Sequence, residues 1–134
     1  VEEFKKSSHG ILIGMESFGE GIDIPGNSLE FVYVDKVPDL RQDIVIQKRR
    51  DFYEANFGNE FNDYFLGHRT RALHQKLGRL IRTETDKGCV IITDSRLKKW
   101  KGRTLESFKS MMKPYDINIT SLESACESTR DFLV

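Results

Sequence analysis

Three short runs, Gly10-Ile-Leu-Ile-Gly14, Phe31-Val-Tyr-Val-Asp35 and Cys89-Val-Ile-Ile-Thr93, are apolar, rich in β-branched residues and free of polar alternation. A strand with one wet face alternates between apolar and polar residues, whereas a strand covered on both faces does not. Each run therefore reads as a strand buried on both sides, which suits a parallel sheet with helical covers. Between the second and third runs lie two helical segments, near Asp39 to Phe57 and near His68 to Thr83. Strand, helical crossover and strand together predict a parallel α/β sheet with a right-handed connection. After the third strand come a basic stretch, a helix near Thr104 to Lys113 stopped by Pro114, and a helix near Ser121 to Phe132. Asp116-Ile-Asn-Ile-Thr120 has the pattern of an extra edge strand.

The length of 134 residues suits one domain, and no repeat or low-complexity linker divides it, so residues 1–134 are expected to form a single domain. Twenty-one Lys and Arg balance twenty-one Asp and Glu, which excludes a general electrostatic affinity for nucleic acid or membrane and leaves only local clusters. No apolar stretch approaches the length of a bilayer span, and the amino end lacks a signal-peptide core, so no membrane partner and a cytoplasmic location are expected. Cys89 and Cys126 form no CxxC pair and have no His at ligand spacing; both are expected as buried thiols, with no metal site. Residues from Val1 onward have the look of the last turn of an amphipathic helix, which points to a fragment of a longer chain.

The segment from His68 to Thr83 carries the strongest pattern. At helical spacing, Leu73, Leu77, Leu80 and Ile81 share one side, while His68, Arg71, Gln75, Arg79 and Arg82 fall in a stripe on the other. Residues 68–83 hold five Lys and Arg and no Asp or Glu, so salt bridges within the helix cannot neutralise the stripe. Two readings stand, a solvated basic face and a phosphate-facing one. Gly78 favours the second. Glycine inside a helix costs about 1 kcal/mol relative to alanine, and beside the stripe its missing side chain admits close approach of a backbone or phosphate.

The loop from Met15 to Gly26 follows the first expected strand, and in open α/β sheets ligands bind beyond the carboxyl ends of strands. Its glycines permit close approach, and it carries Glu20 and Asp23. It is not a dinucleotide fingerprint, because Ile24 stands where a third glycine is required. No Gly-Lys pair occurs in the chain, so no Walker A phosphate loop is present. A nucleotide site here would be a partial one.

Gln75-Lys-Leu-Gly-Arg79-Leu-Ile-Arg82 closely resembles helicase motif VI, Q-x-x-G-R-x-x-R, over residues 75–82. Ser17-Phe-Gly-Glu20-Gly21-Ile-Asp23, within residues 14–23, resembles motif V of the DinG/XPD branch of superfamily 2 helicases. A helical insertion over residues 39–67 separates the two, and Asp86-Lys-Gly88 and Asp94-Ser-Arg96 follow in the family's order. The resemblance covers roughly residues 4–115. Gly19 departs from it, standing where many members have an aromatic residue, and the last nineteen residues fall outside the resemblance. It implies an α/β, RecA-like second helicase domain, a mostly parallel sheet flanked by helices and lacking its first strand and helix. It also implies an ATP-dependent DNA helicase whose ATP and Mg2+ sit in a site completed by an upstream first RecA-like domain bearing Walker A. In that reading Arg79 and Arg82 are arginine fingers with Gln75 beside them, and Glu20, Gly21 and Asp23 lie at the nucleotide. Ser17 would touch the backbone of single-stranded DNA or of a duplex junction.

Arg96-Leu-Lys-Lys-Trp-Lys-Gly-Arg103 adds five cations and one aromatic in eight residues. Arg96, Lys98 and Lys99 are therefore candidates for nucleic-acid contact, against the alternative of a solvated loop with Trp100 packed inward. Lys48-Arg49-Arg50 gives the same signal more weakly, and Phe52, Tyr53 and Phe57 are expected in core or interdomain packing. The competing function, from a different class, is a non-hydrolytic nucleic-acid-binding or scaffolding module built on a RecA-like fold.

Overall fold

The computed structural model describes residues 1–7, 9–14, 29–78 and 86–134. Its contacts cluster in two compact units.

The first unit takes Val1–Val34, Gln75–Ile92 and Thr120–Val134. It holds α1 (Glu2–Lys6), strands β1 (Phe31–Val34) and β2 (Cys89–Ile92), and α5 (Leu122–Leu133). The strands pair in parallel, from Phe31 opposite Cys89 to Val34 opposite Ile92, as the unalternating Val and Ile runs predict. Helix α5 packs on β2, where Ile91 is buried. Ser121 starts α5 by accepting the Ser124 N–H at 3.2 Å.

Several expectations fail. Strand β1 is not covered on both faces, for Phe31 is 40% and Tyr33 55% exposed while Val32 and Val34 are half-buried. Residues 10–14 form no strand, and Ile11 and Ile13 are each 88% exposed. An apolar run gains from burial only when an edge receives it, so β-propensity alone does not decide pairing. Residues 116–120, in the other unit up to Ile119, form no edge strand either. Cys126 is exposed and Cys89 half-buried, not a pair of buried thiols.

The second unit takes Asp35–His74 and Thr93–Ile119. Helix α2 (Ile44–Phe57) begins five residues later than expected, because Asp43 caps it by accepting the Ile46 N–H at 2.9 Å. It ends at Gly58, whose φ of 70° is a left-handed conformation suited to glycine. A π-helical turn (Phe61–Phe65) leads into α3 (Leu66–Leu77), which spans His74 and Gln75. A 3-10 turn (Ser95–Lys99) and α4 (Arg103–Met111) follow β2.

The buried residues of this unit include Tyr64, Phe65, Leu66, Thr70, Leu73, Trp100, Phe108 and Met112. Trp100 packs inward, its ring edge-on to Phe61 at 5.8 Å and to Phe108 at 5.1 Å. Phe52 and Phe57, expected in core or interdomain packing, are 58% and 60% exposed, so neither belongs to the core of this unit.

Candidate functional site

The amphipathic division of α3 holds wherever it is described. Leu66, Thr70, Leu73 and Leu77 are each no more than 2% exposed, whereas His68, Arg71 and Gln75 lie open to solvent. Buried Thr70 returns its hydroxyl to the Leu66 carbonyl at 2.7 Å, which satisfies it without a partner outside the helix. His74 is anchored by a 3.0 Å hydrogen bond between its Nε2 and the Lys113 carbonyl. Helical structure is described as far as Leu77, with Gly78 in a turn. Of motif VI, Gln75 is thus placed on the exposed side, while Arg79 and Arg82 lie outside the described residues. Ser17, Glu20, Gly21 and Asp23 of motif V lie outside them as well.

The basic stretch after β2 divides into two kinds of cation. Arg96 is turned onto protein groups: Nε reaches both oxygens of Asp94 at 3.0 Å, and Nη2 reaches Oδ2 at 2.6 Å. Nη2 also donates to the Val37 carbonyl and Nη1 to Asp39, each at 2.9 Å. Lys98 and Lys99 stand exposed on the same 3-10 turn. Asp94 sets that turn by accepting the Arg96 N–H at 2.9 Å, and it takes the Val37 N–H at 2.9 Å as well. The Arg96 guanidinium, helped by these backbone donors, holds the buried Asp94 carboxyl down at about 2. Asp94 in turn raises the pKa of Arg96, against the desolvation that lowers it.

Two residues without sequence-level signals complete this knot. Asp39 receives Arg69 Nη2 at 2.6 Å on one oxygen and Arg96 on the other. The Arg69 guanidinium lies 5.9 Å from the Phe61 ring and 5.8 Å from the Phe65 ring, and its Nε is buried without a hydrogen-bond partner. Arg69 stands 30 positions from Asp39 and Arg96 stands 57, so no local pattern announces the bridge. Only the Asp94–Arg96 pair carries a local signal, two residues apart, and by sequence alone Arg96 reads instead as a nucleic-acid contact.

Among the described residues no group of His, Cys, Asp and Glu could hold a metal ion, and no helix is long and apolar enough to cross a membrane. The nearest buried carboxylate, Asp94, already takes guanidinium and backbone donors, so it does not fit a divalent cation.

Comparison with known proteins matches a helicase C-terminal domain model over residues 1–115. The chain is 36% identical over 121 residues to the ATP-dependent DNA helicase YoaA of Haemophilus influenzae, covering 88% of this chain and 19% of that protein. It is 37% identical over 98 residues to the ATP-dependent helicase DinG of Mycobacterium tuberculosis, covering 72% and 15%. A 3′-5′ exonuclease DinG of Staphylococcus epidermidis is 33% identical over 114 residues, covering 81% and 12%. The chain spans about a fifth or less of the length of these curated relatives. With the mixed helix and parallel sheet and the exposed Gln75 on an amphipathic helix, this match settles the family: the chain belongs to the helicase C-terminal domain family.

Proposed function

We propose that this chain is the second RecA-like domain of an ATP-dependent DNA helicase and completes a nucleotide site whose Walker A lies in a first motor domain upstream. The observation that carries the reading is the sidedness of α3, with Leu73 and Leu77 buried and Arg71 and Gln75 exposed. If the helical spacing continues, Arg79 and Arg82 join Gln75 on the open side. ATP hydrolysis spreads negative charge over the γ-phosphate oxygens, and planar guanidinium forks entering from a second domain stabilise it. Arg79 and Arg82 take that role, Gln75 orients beside them, and Glu20, Gly21 and Asp23 approach the nucleotide from the motif V loop. Ser17, Lys98 and Lys99 contact the phosphates of single-stranded DNA or a duplex junction. Arg96 takes part through position, since its donors are spent on Asp94, Asp39 and Val37.

Mg2+ enters with the nucleotide and is held by the first domain. The chain alone, without a phosphate loop, hydrolyses no ATP at a measurable rate. The test is Arg82→Ala in the full-length helicase. Hydrolysis falls by roughly three orders of magnitude while ATP binding falls little and the melting curve is kept, and Lys at this position rescues poorly. Near-normal turnover by the folded variant excludes the finger role. Mg-dependent turnover by the isolated chain excludes the shared site.

A further inference from the structure

Helix α2 carries an open face that the nucleotide-site reading does not use. Ile44, Lys48 and Phe52 form one ridge at i, i+4 spacing, and Val45 and Arg49 begin the next. Together they line a shallow depression of about 410 Å3. Ile44 is 76% exposed, Val45 54% and Phe52 58%, an unusual density of bare apolar side chains on less than three turns.

The charges of α2 are sorted around it. Asp43 is spent as the cap, Asp51 accepts from Gln47 at 2.9 Å, and Glu54 accepts the Glu60 N–H at 3.1 Å. Arg50 turns away to pair with Glu60 through two hydrogen bonds, at 2.6 and 2.5 Å. The depression itself is lined by two cations and no acid. Arg49 is held in place by donating to the Tyr64 hydroxyl at 3.3 Å, which also raises its pKa.

We infer that this face docks an acidic amphipathic helix from a protein partner. The groove between two i, i+4 ridges accepts the apolar ridge of a second helix, and Asp or Glu beside that ridge meets Lys48 and Arg49. A nucleic-acid strand fits less well. Phe52 is the one flat ring in the lining, a single platform for a base, whereas Ile44, Val45 and Phe52 together suit an apolar ridge. The span from Ile44 to Phe52 is about 12 Å, two to three turns of contact.

The test uses the full-length helicase that contains this chain and labelled peptides of roughly 18 residues, long enough to hold a helix. One peptide combines Leu, Ala and Glu, and a second carries Lys for each Glu. Fluorescence anisotropy should show binding of the Glu peptide and none of the Lys peptide. Affinity should weaken between about 50 and about 300 mM salt. Lys48→Glu should lower it about tenfold or more, as should Phe52→Ser and Ile44→Ser, with circular dichroism reporting that each variant stays folded. Four results would each overturn the inference: no binding of the Glu peptide, equal binding of both peptides, binding indifferent to all three substitutions, or capture of a poly-dT oligonucleotide on this face in preference to the peptide.

Discussion

Arg96 encloses the carboxylate of Asp94 from two residues away, Nε touching both oxygens and Nη2 the second, while the same carboxylate accepts the N–H of Val37. A local turn and a contact 57 residues apart are thereby closed by one side chain.

Acid should loosen this knot. The folded carboxyl sits at about 2 against an ordinary 3.8, so the unfolded chain binds the proton first as pH falls. Its stabilisation is complete above about 3.8 and is lost progressively down to about 2. Because Arg96 is 38% exposed, solvent screening leaves about 1–2 kcal/mol. Asp94→Asn should lose that increment at neutral pH, and its stability should change less than wild type's across the acid window. Urea unfolding at several pH values measures both, and parallel curves for the two proteins would contradict the account.

The two sides of α3 make a paired test. Leu73 is 1% exposed, so Leu73→Ala should cost about 2–5 kcal/mol by chemical denaturation. Arg71→Ala, two residues away and exposed, should change stability by less than about 0.5 kcal/mol. Comparable losses at both positions would mean that the stripe is structural.

Binding of single-stranded DNA by this chain should be weak and salt-dependent, since the net charge is zero and only clusters contribute. Replacing Lys98 and Lys99 together by Ala should flatten the plot of log affinity against log salt by roughly 0.7 for each phosphate that is no longer neutralised. Titration of one oligonucleotide across a salt series checks this, and an unchanged slope would remove both lysines from the DNA-binding surface.

Several of these elements were legible because their signal is local. The apolar runs of β1 and β2 declare parallel strands, though not the open face that leaves Phe31 and Tyr33 exposed, Leu73 and Leu77 mark the inward side of α3, and the motif residues declare the family. Other features depend on partners distant in sequence. Nothing near Asp39 or Arg69 reports that they meet, and the run at 10–14 could not reveal whether an edge would receive it. The basic stretch misled in part for the same reason. Arg96 has the residue type of a phosphate ligand, but Asp39 and Val37, both far upstream, claim its donors.

The π-helical turn before α3 alters how this stretch of chain tolerates insertion and loss. Leu66 N–H reaches back to the Phe61 carbonyl, five residues instead of four, so one surplus residue is housed within the helix. Tyr64, Phe65 and Leu66 are consecutive and all buried, an arrangement that regular spacing, at about 100° per residue, would spread over more than half the circumference. Deleting any one residue from 61 to 65 is therefore a rotation and not a shortening. It would turn everything upstream by about 100° relative to Leu73. The Asn62 side-chain Oδ1 would swing off the Thr104 hydroxyl that donates to it at 2.7 Å, and Phe61 would leave Trp100. Length variation among related chains should spare these five positions and gather in the loops on either side.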